Sequence, residues 1–456
     1  MTPDAVQERC SGPLVVPWRS AMPIPIVCLD PRLRQFLAAF RSCFSKPQFT
    51  YFETVVFALL LCYESRTLSG LLRQVAERRS LAGLSRFLAR APWSEDEVAA
   101  TWRARFETTV LPRVAEAHAR QRAARPTQRG RPRATVVTGY LIGDDSTLAK
   151  PKGTRMEGVG LHHSTTAGTR VRGHSLVQGL YRVEGRSCPL LPLLYRQQAV
   201  CAAEDVPFQS KVALMEQTIR TFAPTPGTRT HILLDTWYSA KSIWTAARER
   251  DFLITTGLKK NRSLRVPDPD ADQGWRWQTL EDYAAGLGPD EYQQVRWPRQ
   301  DEEERTVYVH VVSTRVRKLY RCQVVIVRDS LTAPLSQARF WASSDLDADL
   351  VTLIGHIAAR WQVEVLFADA KDLLGLDHYQ VLSAQAIVRF WTLVLATYTF
   401  LEEEQAALAA QEQRHVTLGQ ARRAVQTTHR HHLLAWIYAQ VRAGATPDDL
   451  SLRLAA

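Results

Sequence analysis

The chain has 456 residues, of which 45% are apolar and 23% are charged, and its formal net charge is +12. This length allows two or three domains with sizeable cores, and this composition excludes an intrinsically disordered chain. The excess of positive charge favours a polyanionic partner, although charge by itself determines solubility and non-specific binding rather than fold.

The seven cysteines are scattered along the chain and include no Cys-x-x-Cys pair. This pattern is typical of reduced thiols and argues against a disulfide framework or a cysteine-bound zinc ion. The first residues lack the charged and apolar regions of a signal peptide, and the apolar run from Val55 to Tyr63 is too short to span a bilayer. We therefore expect a cytoplasmic protein without a membrane partner.

The N-terminal part divides into a proline-rich irregular arm over residues 1–30 and an all-helical domain over residues 31–123. The predicted helices are Glu53–Tyr63, Thr67–Arg78, Leu81–Arg90 and a long helix from Ser94 to about Arg122, which begins at a capping box. Short helices joined by tight turns suit a DNA-binding module, although most such clusters are only packed domains. The basic charge leads us to predict a DNA-binding domain.

A basic linker over residues 124–133 follows the helices. Six arginines and no acidic residue occur between positions 120 and 133. A solvated linker and a strap that follows a phosphate backbone explain this composition equally well. Under the second interpretation Arg129, Arg131 and Arg133 contact DNA.

Residues 134–257 form the first part of a predicted α/β core. The expected strands are Val136–Gly143, Glu157–His163, His174–Val183, Leu190–Tyr195, Thr230–Asp235 and Phe252–Gly257, and the expected helices are Val206–Phe222 and Ser239–Arg250. A run of strands followed by alternating helices and strands predicts a mixed sheet flanked by helices.

Residues 258–340 interrupt this alternation and read as a β-rich insertion, with strands over Thr306–Ser313 and Gln323–Arg328. The core resumes over residues 341–380, where a single helix is predicted from Asp349 to Leu374. Residues 381–456 contain the C-terminal helices, near Ala384–Leu408 and Leu418–Arg442.

Three carboxylates indicate a metal-dependent reaction. Asp145 and Asp235 end predicted strands and Glu364 lies on the later helix, so all three can meet where functional groups converge in α/β sheets. Grouped carboxylates raise one another's pKa unless a cation neutralises them. Two Mg²⁺ ions roughly 3.5–4 Å apart, for which Mn²⁺ can substitute, are the usual solution and serve phosphodiester chemistry. We predict Asp145, Asp235 and Glu364 as catalytic residues and metal ligands.

Arg360 and Lys371 lie within about 40° of Glu364 on one helical face. A glutamate between two cations suits a site that binds a metal ion and a phosphate, although an ordinary ion pair on a solvated helix is the commoner explanation. A zinc site would require His162, His163 and His174 to converge. Contacts to phosphate, turns or the core are more common roles for such histidines.

The order Asp145, Asp235, Glu364 resembles that of the DDE transposases of bacterial insertion sequences. The helix resembles the Y-x2-R-x3-E-x6-K signature of their cut-and-paste branch, in which Arg360, Glu364 and Lys371 fall in place and Trp361 matches a common form. Two further blocks are similar to the family's motifs: Gly-Asp-Asp145-Ser-Thr-Leu-Ala-Lys150-Pro-Lys152-Gly and Leu-Leu-Asp235-Thr-Trp-Tyr-Ser. The resemblance extends over roughly residues 80–395.

This resemblance implies an RNase H-like mixed-sheet core with a β-rich insertion, preceded by a helical DNA-binding domain and followed by C-terminal helices. The implied reaction is Mg²⁺-dependent cleavage at transposon ends, followed by attack of the 3′-OH on target DNA. Arg360 and Lys371 would position phosphates, with Lys150 and Lys152 as further DNA contacts. Double-stranded DNA would be the partner, a homodimer would form in the synaptic complex, and the protein would associate with the nucleoid.

The sequence departs from the family pattern at one position and leaves two assignments open. Ile357 replaces the tyrosine of the signature and cannot bind a phosphate through a hydroxyl. Trp341 is a candidate for holding a flipped base, but its spacing favours a core residue. Asp144 and Asp145 point to opposite faces of a strand, and we choose Asp145 because the family's acid directly precedes Ser or Thr. An RNase H-like nuclease without strand transfer and a non-catalytic DNA-binding descendant of a transposase remain the alternatives.

Overall fold

A computed structural model describes residues 30–62, 65–75, 79–124, 135–164, 168–298 and 305–455. The predicted irregular arm, except for its last residue, lies outside these ranges, as do Arg129, Arg131 and Arg133 of the predicted strap.

Within the described residues, five α-helices precede the sheet. They are Pro31–Ala38 (α1), Lys46–Leu61 (α2), Leu68–Arg73 (α3), Leu81–Ala89 (α4) and Glu95–Ala123 (α5). The side chains of Thr67, Ser80 and Ser94 each accept a hydrogen bond from a backbone N–H of the first turn that follows, which fixes where α3, α4 and α5 begin. The four predicted helices are confirmed, although α2 begins earlier than the sequence predicted and α3 ends earlier.

The central sheet has the strand order of an RNase H-like core. Its first strands are Val137–Ala149 (β1), Gly160–Ser164 (β2), Thr169–Val183 (β3), Arg186–Pro189 (β4), Leu193–Tyr195 (β5), Thr228–Leu234 (β6) and Leu253–Leu258 (β7). On one side of β1, β3 runs antiparallel and is itself paired with β2, β4 and β5; on the other side, β6 and β7 run parallel. The helices Gln198–Glu204 (α6), Lys211–Thr221 (α7) and Lys241–Glu249 (α8) connect these strands. The predicted mixed sheet is confirmed.

The β-rich segment extends this sheet. It contains Ser263–Pro267 (β8), Trp275–Thr279 (β9), Leu280–Ala285 (α9), Gln293–Trp297 (β10), Arg305–Arg315 (β11), Arg321–Arg328 (β12) and Arg339–Ser343 (β13). Only β8 and β9 form a separate two-stranded sheet, whereas β13 pairs antiparallel with β7 and carries β12, β11 and β10 with it. This pairing covers the edge of β7, and the described residues form one sheet of 11 strands besides the β8–β9 pair.

The helix predicted over Asp349–Leu374 is interrupted. It consists of Leu350–Ala359 (α10) and Gln362–Leu374 (α11), which meet at Arg360 and Trp361. Both residues keep right-handed helical dihedral angles, but the backbone tightens into i→i−3 hydrogen bonds, for example from the Glu364 N–H to the Trp361 carbonyl at 3.0 Å. This one tightened turn lies next to Glu364 and preserves its proximity to Arg360.

The C-terminal helices Ala384–Glu412 (α12), Leu418–Arg442 (α13) and Pro447–Ala455 (α14) complete the fold. Helix α12 contacts α2, α4 and α5 as well as α11 and β4, so one continuous hydrophobic core joins the N-terminal helices to the sheet. In the part of the chain that the structure describes, two stretches, Leu350–Leu374 and α12, are apolar and long enough to cross a membrane. The apolar window is 39% buried in the first and 89% buried in α12, as expected for a central core helix.

Arg389 fastens α12 to the N-terminal helices. Its buried guanidinium donates to Glu95 Oε1 at 2.8 Å and to the carbonyl oxygens of Leu88, Ala91 and Trp93, and it lies 4.4 Å from the Trp93 ring centroid. A single cation therefore satisfies a carboxylate and three backbone acceptors at the junction between the two halves of the molecule.

Replacing Arg389 with Leu should lower the free energy of unfolding by about 3–5 kcal/mol, because it leaves a partly buried carboxylate and backbone acceptors unpaired. Urea unfolding followed by circular dichroism would measure the loss. Arg220→Leu is the control, since Arg220 pairs with Glu216 and Glu249 on the surface and its loss should leave the midpoint nearly unchanged. Equal losses in the two variants would show that Arg389 does not fasten the junction.

Candidate active site

Five acidic side chains line one cavity beside the point where the parallel pairing of β1 with β6 ends: Asp144, Asp145, Asp235, Glu364 and Asp372. Asp144 and Asp145 lie in β1, Asp235 directly follows β6, and Glu364 lies in the first turn of α11. Because Gly143 pairs with Leu234 in the parallel register, the next residues of the two strands, Asp144 and Asp235, are neighbours. The cavity they share has a volume of about 1220 Å³, larger than most small-molecule pockets.

One face of β1 meets α11. The Arg360 guanidinium lies 3.3 Å from Asp144 Oδ2 and 2.5 Å from Glu364 Oε1, so it bridges the two carboxylates. Two residues along the strand, on the same face, Ser146 Oγ accepts a hydrogen bond from Lys371 Nζ at 2.8 Å. The structure thus brings Arg360, Glu364 and Lys371 together against Asp144 and Ser146.

The Asp145 carboxylate points to the opposite face. It forms an ion pair with Lys211 and accepts hydrogen bonds from the Tyr238 hydroxyl at 3.2 Å and from Ser175 Oγ at 3.4 Å. Both aspartates line the cavity, but Asp144, not the Asp145 chosen from the sequence, shares a face with Glu364. Asp145 is the choice from the sequence because it directly precedes Ser146. That adjacency does not determine the face of the strand to which its side chain points.

The carboxylates on the α11 side are short of compensating charge. Burial raises the pKa of Asp144 to about 7, the negative charge of Asp235 adds to that effect, and Arg360 opposes it. Burial also raises the pKa of Asp235 above its ordinary value, again against the influence of Arg360. One arginine therefore only partly neutralises this group of buried carboxylates.

The donor set fits a hard divalent cation. Carboxylate oxygens in a site without Cys are the ligands that Mg²⁺ prefers, and bound cations stabilise buried carboxylates whose pKa is raised. In the described part of the chain, Asp144, Asp235 and Glu364 do not form a compact group with ligand atoms within 4.8 Å of one another. The Arg360 side chain lies between Asp144 and Glu364, and it must shift if a cation is to bind both.

Several cationic and aromatic side chains in and beside the cavity are not among the predicted site residues. Lys211, Arg170 and Lys259 line it, and Lys259 Nζ lies 5.9 Å from the ring centroid of Trp237. Trp237 is 59% exposed, and Trp361, beside Arg360, is 58% exposed. Trp237 and Trp361 belong to the motifs already recognised and could have been found there, whereas nothing in the sequence around Lys211 marks it.

The histidines considered for zinc do not converge. His162 and His163 line the cavity, but His174 is buried elsewhere, with Nδ1 2.8 Å from the Tyr379 hydroxyl and Nε2 2.9 Å from the Glu157 carbonyl oxygen. Burial lowers the pKa of His162 and of His174 to about 4. His174 thus has a structural role in the core.

The remaining predicted DNA contacts have different surroundings. The Lys150 ammonium donates to the carbonyl oxygens of Asp377 and Tyr379, lies 3.7 Å from the Tyr379 ring centroid, and has its pKa lowered to about 8 by burial. Lys150 therefore anchors the segment after α11 and does not line the cavity. Lys152 is exposed in the turn after β1. Trp341 is half-buried against a small apolar cluster, with the Arg360 guanidinium 6.0 Å from its ring centroid.

The sequence matches a family model, and the fold resembles a solved structure. A family model described as a DDE superfamily endonuclease matches residues 39–318, which include Asp144, Asp145 and Asp235 but end before Arg360. A cryo-EM structure of a piggyBac transposase synaptic complex with hairpin DNA resembles the chain at 9% identity and a TM-score of 0.44, over 92% of this chain and 79% of that one. No curated protein matches the sequence.

The raised pKa of Asp144 gives the metal-free protein a pH-dependent stability. Because the folded state keeps this proton up to about pH 7 and the unfolded state loses it near pH 4, the free energy of unfolding falls as pH rises between those values. Asn cannot ionise, so Asp144→Asn should be more stable than the parent by about 1–3 kcal/mol at pH 8 and nearly equal to it near pH 4.

Urea unfolding in the presence of a chelator at pH 4.5, 6 and 8 measures this difference. Asp270→Asn, at an exposed position, is the control and should show no such trend. A stability gain for Asp144→Asn that does not change with pH would contradict the raised pKa.

Proposed function

Because this chain belongs to the DDE superfamily of endonucleases, we propose that it acts as a transposase, which binds transposon ends, cleaves DNA by divalent-metal-dependent phosphodiester hydrolysis and joins the 3′-OH ends to target DNA. The observation that carries the proposal is the cavity lined by Asp144, Asp235 and Glu364, in which Arg360 bridges two of the three carboxylates.

Asp144, Asp235 and Glu364 are the proposed metal ligands. Asp144 is preferred to Asp145 because its carboxylate shares the Arg360 guanidinium with Glu364. Asp145 already has a cation and two hydroxyl groups as partners, and these hold it on the other side of the strand. Its proposed role is to fix Lys211 and Tyr238 at the edge of the cavity.

Mg²⁺ or Mn²⁺, when bound, would supply the activation of the attacking water or 3′-hydroxyl and the stabilisation of the leaving oxygen. The protein supplies the positioning. Arg360, released from Asp144 and Glu364, can direct its planar guanidinium to two oxygens of one phosphate. Lys371 can leave Ser146 for a neighbouring phosphate, while the exposed rings of Trp237 and Trp361 provide flat surfaces on which bases can stack.

Double-stranded DNA is the proposed partner. The net charge of +12 and the cations around the cavity, Lys211, Lys259 and Arg170, support this partner. Lys152, the N-terminal helices and the arginines at 129, 131 and 133 are proposed to add contacts outside the cavity. Two transposon ends have to be held together during transposition, and a homodimer in the synaptic complex would do so.

We expect Asp144→Asn, Asp235→Asn and Glu364→Gln each to reduce single-turnover cleavage of the element's own ends by at least about a thousandfold, because each removes a negative charge that holds the cation. Asp145→Asn is the matched control, one residue away in the same strand, and should retain activity within about tenfold. The assay uses Mg²⁺ or Mn²⁺, with end binding and circular dichroism measured in parallel. Loss of activity in Asp145→Asn but not in Asp144→Asn would make Asp145 the ligand.

The same preparation tests strand transfer. Pre-cleaved ends, supercoiled target DNA and Mg²⁺ should yield joined products with the parent protein. Cleavage without joining would identify an RNase H-like nuclease, and end binding without metal-dependent cleavage would identify a non-catalytic DNA-binding protein.

Salt dependence should separate the cations at the reaction centre from those that hold DNA. Arg360→Ala should reduce the cleavage rate at saturating DNA strongly and change the slope of log affinity against log salt by about one or less, because it removes one phosphate contact. Simultaneous replacement of Arg129, Arg131 and Arg133 by Ala should weaken binding and flatten the slope by about two or three, with cleavage intact at saturating DNA.

Fluorescence anisotropy across a salt titration, paired with single-turnover cleavage, provides both measurements. An unchanged slope in the triple variant would identify residues 124–133 as a linker without DNA contacts.

A further inference from the structure

A second polar cluster lies in the core, between β6 and α10. It consists of His231 in β6, His356 in α10 and Asp345 in the segment that joins β13 to α10. One potential ligand atom from each side chain lies within 4.8 Å of the other two, and the two imidazole ring centroids are 3.9 Å apart. Among the described residues, this is the one group of at least three His, Cys, Asp or Glu side chains that is so compact.

The hydrogen bonds of the two imidazoles leave one nitrogen of each ring unused. His231 Nε2 lies 2.8 Å from Thr255 Oγ1, and His356 Nδ1 lies 3.2 Å from the Tyr140 hydroxyl. The other nitrogens, His231 Nδ1 and His356 Nε2, are buried and have no hydrogen-bond partner. The side chains of His231 and His356 belong to residues that are only 1% and 5% exposed, so water does not readily compensate for this loss.

Asp345 supplies a carboxylate at the half-buried side of the cluster. Three hydrogen bonds fix its position. Its N–H donates to Ser343 Oγ at 3.3 Å, its carbonyl oxygen accepts from Gln323 Nε2 of β12 at 2.8 Å, and Oδ1 accepts from the Asp347 N–H at 3.3 Å. Among the described residues, no side chain or backbone group is hydrogen-bonded to the second carboxylate oxygen, which can therefore face a ligand.

We propose that His231, His356 and Asp345 bind one transition-metal ion, with Zn²⁺ as the best fit, at a site separate from the carboxylate cavity. Two imidazoles and a carboxylate form a donor set that zinc accepts and that Mg²⁺ does not favour. To bind the metal through the unused nitrogen, each neutral imidazole donates the N–H of its other nitrogen, His231 Nε2 to Thr255 Oγ1 and His356 Nδ1 to the Tyr140 hydroxyl oxygen. Thr255 can accept because its own hydroxyl donates to Ser343 Oγ, and such contacts orient metal-binding histidines.

The geometry requires only a small adjustment. With Zn–N distances of about 2.0–2.1 Å, ligand atoms of a tetrahedral site are about 3.3 Å apart, so the cluster must contract by up to about 1.5 Å. A water molecule can occupy the fourth position from the half-exposed side, where Asp345 lies.

The site would connect two elements of the catalytic region. His231 lies in β6, four residues before Asp235, which directly follows that strand. His356 lies in α10, one helical turn before Arg360. A metal ion held by both histidines would fasten α10 to the sheet immediately before the tightened turn at Arg360 and Trp361. The histidines would thus act as positioning residues for Arg360, and the inference stands whether or not the proposed transposition reaction is correct.

The test uses the full chain, purified without a histidine tag and stripped of metal with a chelator. Asp144→Asn and Asp235→Asn are introduced together as a background, so that the carboxylate cavity does not contribute to binding. Equilibrium dialysis against Zn²⁺ should then give one bound ion per chain, and Mg²⁺ should give none. Co²⁺ should produce the visible absorption of a tetrahedral site.

His231→Gln and His356→Gln should each weaken Zn²⁺ binding by at least tenfold. Asp345→Asn should also weaken Zn²⁺ binding, and because Asp345 lies in a loop this substitution leaves the core intact. His415→Gln, at an exposed position, is the matched control and should bind as the background does. Zn²⁺ should also raise the Tm by at least about 2 °C and slow hydrogen exchange of the α10 amides in the background but not in the histidine variants.

Absence of a tightly bound ion would overturn the proposal, as would full binding by all three ligand variants. Either result would show that His231 and His356 are only core residues, hydrogen-bonded to Thr255 and Tyr140. Circular dichroism separates loss of binding from loss of fold, and the Asp345→Asn result decides the matter if a histidine variant does not fold.

Discussion

The bridge formed by Arg360 between Asp144 and Glu364 is the interaction on which the arrangement of the carboxylate cavity depends. Buried carboxylates repel one another, and each would have a higher pKa and a greater cost of burial without a cation beside it. Arg360 and Glu364 are four residues apart, and Arg360 and Trp361 keep helical dihedral angles, so the two side chains stay neighbours on one face across the junction. The same helical junction therefore sets the position of Glu364 relative to the strand that contains Asp144.

The scaffold keeps this junction in place from two directions. The 11-stranded sheet continues from the strands of the RNase H-like core into the β-rich segment. Its strand β13 is followed by α10, which contacts β1 through the hydrogen bond between His356 and Tyr140, on the face where Asp144 lies. On the far side, α12 packs against α11 and against the N-terminal helices, and Arg389 secures that contact. The N-terminal helices are thus part of one core with the sheet, and any DNA contacts they make are rigidly related to the cavity.

Membership of the DDE superfamily of endonucleases, and the RNase H-like strand order, agree with what the motifs predicted. The match to the family model ends at residue 318, before the helix that contains Arg360 and Glu364. The structure places this helix beside the matched residues, since Arg360 contacts Asp144 and Lys371 contacts Ser146. Origin from a bacterial insertion sequence, the roles of the site residues and the domain boundaries remain predictions.

The sequence by itself determined most helices and strands and identified most of the charged residues of the candidate site. Alternating hydrophobicity, capping residues and the Asp, Asp, Glu order are local or linear features, so they identified most helices and strands, the family and the proximity of Arg360 to Glu364 at i and i+4. Only the tertiary structure decided which of two adjacent aspartates meets Glu364, because a strand sends neighbouring side chains to opposite faces and the packing of α11 selects one of them.

The tertiary structure likewise decided that Lys150 is an anchor, that Lys211 belongs to the cavity, and that His231, His356 and Asp345 meet. These residues are brought together by contacts between elements that are distant in sequence, for example 125 positions from His231 to His356, and periodicity along the chain contains no information about such contacts.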